Sequence, residues 1–168
     1  MSELVGNVLM LQMGTPSAVT NAILAALIKK SLNYGNIEEV YGCFGGLNSI
    51  LNEQFIDLAA QPQKTISNLT CTPGAALKSI DSDHIDTDKI VQICKKHGIV
   101  YMFVVGDDTS VESCKLIDLA AKKAGYNMRV ILIPTVANNG LQLTDHCLGY
   151  GSMAKHMSSL VRNITSNI

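Results

Sequence analysis

A chain of 168 residues with 47 % hydrophobic content is long enough to bury a sizeable core and too apolar to be disordered. Its net charge of −1, without a basic tract, and its aromatic content of 5 % exclude a nucleic-acid footprint built on cationic stripes or base-stacking platforms. The cysteines (Cys43, Cys71, Cys94, Cys114, Cys147) are scattered, odd in number and without a CxxC, which suits reduced thiols in a cytoplasmic protein better than a disulfide frame or a zinc site. No secretory leader pattern opens the chain, and no apolar run approaches the roughly 20 residues that span a bilayer, so no membrane segment is expected.

Residues 8–13, VLMLQM, are a short apolar run that reads as a first buried strand. Residues 14–18, GTPSA, make a tight loop of small residues. Residues 21–32 place Ile23, Leu24, Leu27 and Ile28 at helical spacing and carry Lys29 and Lys30 near the end, where cations suit the helix dipole. The opening is therefore strand, small-residue turn, helix, without a GxGxxG or GxxxxGK[ST] pattern. Residues 39–43 read as a second strand, 45–47 as a flexible turn, 50–53 as the start of a short helical segment and 55–58 as a further apolar cluster. Residues 61–65 read as a loop. Pro73-Gly74 marks a turn within 72–77, TPGAAL. Residues 81–86, DSDHID, read as an exposed polar loop whose acids match no calcium-loop spacing.

Residues 88–97 form an amphipathic helical pattern ended by Gly98. Residues 99–105, IVYMFVV, are the strongest strand, and their continuous apolar character predicts burial on both faces of a parallel sheet. Residues 106–110 cap it. A helix follows over 111–124, closed by Gly125, and then a strand over 128–133. Pro134 is expected to stop that strand because it has no N–H for the ladder. Asn138-Asn139-Gly140 is a turn signal, and Gly149 to Ser152 lead into a last helical pattern. On that helix Met153, Met157, Leu160, Val161 and Ile164 read as core or as a docking surface. Asp145, His146 and Cys147 are adjacent, so they point apart and do not form a nucleophile pair. His84, His97 and His156 show no HExxH spacing. The alternation of buried strands and helices predicts one Rossmann-like domain over residues 1–168, three-layer α/β/α with a mostly parallel sheet, with its functional loops at the carboxyl ends of the strands.

Five segments in order resemble the amino-terminal half of the 6-phosphofructokinase family, most closely the branch that uses pyrophosphate. Residues 12–22, QMGTPSAVTNA, resemble its first glycine loop, and residues 42–58 its next segment. Residues 72–77, TPGAAL, resemble its third loop, residues 106–110, GDDTS, its metal loop, and residues 144–155, TDHCLGYGSMAK, the block after its catalytic loop. The resemblance implies the amino-terminal domain of the phosphofructokinase fold, with the second half of the family fold absent. It implies the family reaction, phosphoryl transfer from pyrophosphate or ATP to fructose 6-phosphate in glycolysis. It places donor-phosphate contacts at Gly14, Thr15, Thr109 and Ser110, and Mg²⁺ at Asp108. It also implies a phosphorylated small-molecule ligand (pyrophosphate, ATP or a sugar phosphate) and either a homo-oligomer or pairing with a full-length phosphofructokinase.

The departures fall on the chemistry. Asn138 stands where the family has its catalytic base, and a neutral amide is no useful base at pH 7. Thr135 replaces a lysine, Val136 a threonine and Gly140 a second aspartate. Asp81 falls where the family places an arginine on the phosphoryl group in flight. Asp107 replaces a glycine, Thr15 the second glycine of the first loop, and Thr109 the residue that separates ATP users from pyrophosphate users. The preferred reading is a phosphofructokinase-like domain with lost or strongly impaired catalysis that keeps phosphate-ligand binding or partners a full-length relative. The alternatives are an active pyrophosphate- or ATP-dependent 6-phosphofructokinase subunit, and a truncated remnant that binds nothing.

Overall fold

The apolar run at the amino terminus forms β1 (Gly6–Gln12), the centre of a five-stranded sheet; the computed structural model describes residues 4–80 and 85–166. In chain order there follow α1 (Thr20–Leu32), β2 (Ile37–Cys43), α2 (Asn48–Leu51), β3 (Phe55–Asp57) and α3 (Gln63–Asn68) with a short 3₁₀ turn. Then come α4 (Thr87–Lys96), β4 (Ile99–Gly106), α5 (Ser110–Lys123), β5 (Arg129–Pro134) and α6 (Tyr150–Thr165). The strand order is β3-β2-β1-β4-β5, parallel throughout except for the antiparallel edge strand β3. This is the mostly parallel α/β architecture expected from the sequence.

Alternation along β1 divides the core in two. Leu9 and Leu11 face a cluster with Ile90, Cys94, Met102 and Ile117, beneath α4 and α5. Val8 and Met10 face Leu24, Ile28, Val40 and Ile66, beneath α1 and α3. The connection from β1 runs outward to β2, and that from β4 runs the other way to β5. Right-handed crossovers in opposite directions put their helices on opposite faces, so the loops leaving β1 and β4 diverge and a crevice opens between them.

Three expectations need correction. Residues 61–65 are not all loop: α3 begins at Gln63, directly after Pro62, whose φ of −56° is already set for a helix entry. Pro134 ends β5 as expected but belongs to it: it is the last strand residue and pairs with Gly106, so the strand runs one residue further than 133. β5 is an edge strand, and the N–H of Thr135 donates to Gly106 O at 2.7 Å, so the alternating backbone turns the donorless nitrogen of Pro134 to the free edge. Finally, β4 is not buried throughout. Ile99, Met102 and Val104 are fully buried, whereas Tyr101 and Phe103 are only half-buried because no helix fully covers that face. Of the acidic stretch, residues 81–84 lie outside the described residues, while Asp86 caps α4 by accepting from the Lys89 N–H at 3.1 Å.

Candidate functional site

The first site residue to place is Gln12, the polar side chain that ends the apolar run of β1. It is fully buried, on the α1 side of β1. Its amide oxygen accepts from the Leu77 N–H at 2.8 Å, and its Nε2 donates to Asn21 Oδ1 at 3.1 Å. Asn21 in turn accepts from the Ala76 N–H at 2.8 Å and donates to Thr72 O at 2.9 Å. Two buried amides thus clamp the loop over 72–77 against β1 and the start of α1. The Ser79 hydroxyl extends the clamp by donating to Gly14 O. A polar residue inside VLMLQM was the signal for this role, and it was read only as part of the strand.

The loops after β1, β4 and β5 surround a cleft of about 270 Å³. From the first loop come Thr15, Pro16 and Ser17, from the second Asp107 and Asp108, and from the third Thr135, Val136, Ala137 and Asn138. The sequence-predicted residues Thr15, Asp108, Thr135, Val136 and Asn138 are therefore brought together. Gly14 lies behind this wall, and Thr109 and Gly140 are exposed beside it without lining it. Ser110 is fully buried, and among the described residues its Oγ has no hydrogen-bond partner. Asp81 lies outside the described residues.

Among the described residues, no cationic side chain lines the cleft. Thr135, at the position where the resemblance implies a lysine, is 2 % exposed and spends its hydroxyl on Gly106 O at 3.3 Å. Lys78, which directly follows the loop over 72–77, sits over the Phe44 ring, 4.7 Å from its centroid. Asn138 accepts from the Gly140 N–H at 3.0 Å. Its neighbour Asn139, at φ +55°, donates to Asp145 O at 3.1 Å and accepts from the Cys147 N–H at 2.7 Å, which ties the loop to the approach of α6. Val136 N–H donates to Leu148 O at 3.1 Å and completes that junction.

Asp107 organises the acidic wall. Oδ2 accepts from the Thr15 N–H at 2.8 Å, and Oδ1 from the Thr109 hydroxyl at 2.5 Å and the Thr109 N–H at 3.2 Å. Burial alone would raise its pKa, but the Thr109 hydroxyl and the backbone N–H groups of Thr15, Thr109 and Asp107 itself outweigh burial and hold the carboxyl below the usual carboxylate range. Gly14, at φ +67°, backs directly onto this carboxylate, and a Cβ there would collide with it. Asp108 is exposed on the cleft wall, and among the described residues its carboxylate accepts no hydrogen bond. Mg²⁺ commonly takes one or two carboxylates and completes its shell with water and substrate phosphates, and Asp108 fits that use. Among the described residues no group of three metal-ligating side chains converges.

A family profile described as Phosphofructokinase matches residues 7–168. The chain belongs to the phosphofructokinase family. It is 32 % identical over 155 residues to the pyrophosphate–fructose 6-phosphate 1-phosphotransferase of Rhodospirillum rubrum, covering 91 % of this chain and 38 % of that enzyme. It is 28 % identical over 165 residues to the same-named protein of Methylococcus capsulatus, covering 94 % of this chain and 39 % of that one. Among solved structures, the pyrophosphate-dependent phosphofructokinase of Marinobacter aquaeolei superposes with a TM-score of 0.90 at 26 % identity, covering 98 % of this chain and 42 % of that chain. This phosphofructokinase-family chain therefore spans about two fifths of the length of the relatives it matches. Its last helix, α6, has no buried residue, and Met153, Met157, Leu160, Val161 and Ile164 are 42–55 % exposed. No helix among the described residues is long and apolar enough to cross a membrane.

Proposed function

We propose that this chain is a phosphofructokinase-family domain that performs no efficient phosphoryl transfer. One observation carries the reading: the cleft presents the carboxylates of Asp107 and Asp108, the neutral amide of Asn138 and, among the described residues, no cationic side chain. Phosphoryl transfer depends on positive charge around the phosphate oxygens and on a group that takes the acceptor's proton. Loss of the base alone lowers the rate by roughly 10²–10⁴. Asp108 would hold Mg²⁺, which supplies charge neutralisation at a bound phosphate. Asn138 would orient a hydroxyl but would not deprotonate it. The free cysteines, four of them buried, agree with a cytoplasmic setting.

The test is a coupled assay with fructose 6-phosphate and Mg²⁺, run separately with pyrophosphate and with ATP. Background rates are expected. Turnover by the wild-type chain overturns the reading in favour of an active 6-phosphofructokinase subunit of glycolysis. Combined restoration by Asn138→Asp, Asp81→Arg and Thr135→Lys examines whether the scaffold is otherwise sound.

The bare face of α6 supports a second role, association with another phosphofructokinase-family chain, its own copy being the simplest case. A helix of 16 residues with no buried side chain and a stripe of exposed Met, Leu, Val and Ile gains by covering that stripe. Light scattering should show a dimer or larger species that Leu160→Glu dissociates. A monodisperse monomer at high concentration removes this role.

A further inference from the structure

The loops that leave β1 and β4 in opposite directions meet again through a single side chain. The Asp107 carboxylate holds the Thr15 N–H of the first loop with one oxygen, and the Thr109 hydroxyl and N–H with the other. Gly14 packs so closely on the carboxyl group that no side chain fits between the loops. The carboxylate also lines the cleft. A planar anion is thus already seated on donors from two loops, in the wall of a cleft whose lining, among the described residues, has no cation to offset a second one.

We infer that Asp107 is the resident anion of this cleft and determines its ligand specificity. Its carboxylate occupies the Thr15 donor that an incoming phosphoryl oxygen would need, and its charge opposes free phosphate and pyrophosphate. The donor is satisfied from within the chain, so an anionic ligand must both displace a charged hydrogen-bond acceptor and tolerate its proximity. Asp108, next to it, adds to the repulsion without touching Thr15. The choice of pyrophosphate as probe rests on the functional reading above, but the occupancy of the Thr15 donor does not.

The experiment is calorimetric titration of inorganic pyrophosphate into the wild type, Asp107→Asn and Asp107→Gly in buffer free of divalent cations. Amide exchange at Thr15 is followed in parallel. Asp107→Asn keeps the shape and an acceptor oxygen but removes the charge, and Asp107→Gly also vacates the donor. Affinity should rise by about tenfold or more in Asp107→Asn, the effect expected on removing one unit charge some 5 Å from the ligand at a protein surface, and further in Asp107→Gly. The Thr15 amide should be protected in the wild type, exchange freely in Asp107→Gly and regain protection on adding pyrophosphate. Equal pyrophosphate affinity in all three proteins overturns the inference, as does a freely exchanging Thr15 amide in the wild type. If Asp107→Gly does not fold by circular dichroism, Asp107→Asn alone decides. Turnover by the wild type would instead count against the functional reading, so the two failures are distinguishable.

Discussion

Gly14→Ala gives the sharpest test of how the first loop is held. Gly14 has φ +67°, and the Cβ built on it falls on the Asp107 carboxyl group. Forcing an alanine into the left-handed region costs about 1.5 kcal/mol. The carboxylate is the far end of a side chain and can swing away, so the collision is relieved by giving up its hydrogen bonds to Thr15 and Thr109. Solvent reaches that carboxylate, so the lower end of the charged hydrogen-bond range applies, about 1.5 kcal/mol. Gly14→Ala should therefore destabilise the wild type by about 3 kcal/mol, but an Asp107→Gly background by only about 1.5 kcal/mol, because backbone strain alone remains there. Urea unfolding of the four proteins in this cycle measures the difference. The same Gly14→Ala cost in both backgrounds would show that the carboxylate does not press on Gly14, and the geometry of this wall would be wrong.

Replacing Gln12 by Leu strands the buried Leu77 N–H and should cost about 1–3 kcal/mol in urea unfolding. Because Gln12 and Asn21 share a hydrogen bond, Gln12→Leu combined with Asn21→Leu should cost less than the separate losses together, and strict additivity would contradict the clamp. Asp107 stabilises the fold as a carboxylate with a lowered pKa, so its contribution is complete above about pH 4 and is lost as pH falls through the depressed value. The stability advantage of the wild type over Asp107→Asn should therefore shrink below about pH 4; an advantage that grows in acid would reverse the sign of the argument. Burial pushes the thiols of Cys43 and Cys94 up to about 12 and that of Cys114 to about 11, whereas Cys71 is exposed. A disulfide reagent should show a fast phase at neutral pH that Cys71→Ser abolishes, and a fast phase surviving that change would mean the core is open.

The periodicity of the chain was enough to recover β1, α1, β4, α5 and β5, because the strands of a parallel sheet are apolar runs even where, as in β5, they end up only partly covered, and their helices carry a stripe at period 3.6. It was not enough for α3, where a Pro and polar residues read as loop until Ile66 is seen packed into the core. The loop motifs gave the family, since glycine and aspartate patterns in fixed order are legible in the sequence itself. Two decisive features came only from tertiary contact. Asp107 lies 92 residues from Thr15, and Gln12 lies 65 residues from Leu77, yet each pair is joined by a hydrogen bond of 2.8 Å. Local propensity carries no information about such partners, because a side chain's acceptor is chosen by which loops the sheet order brings to one edge. The sequence alone therefore determined the fold class and the family. The tertiary structure decided that Asp107 fills the donor its neighbouring loop would otherwise offer.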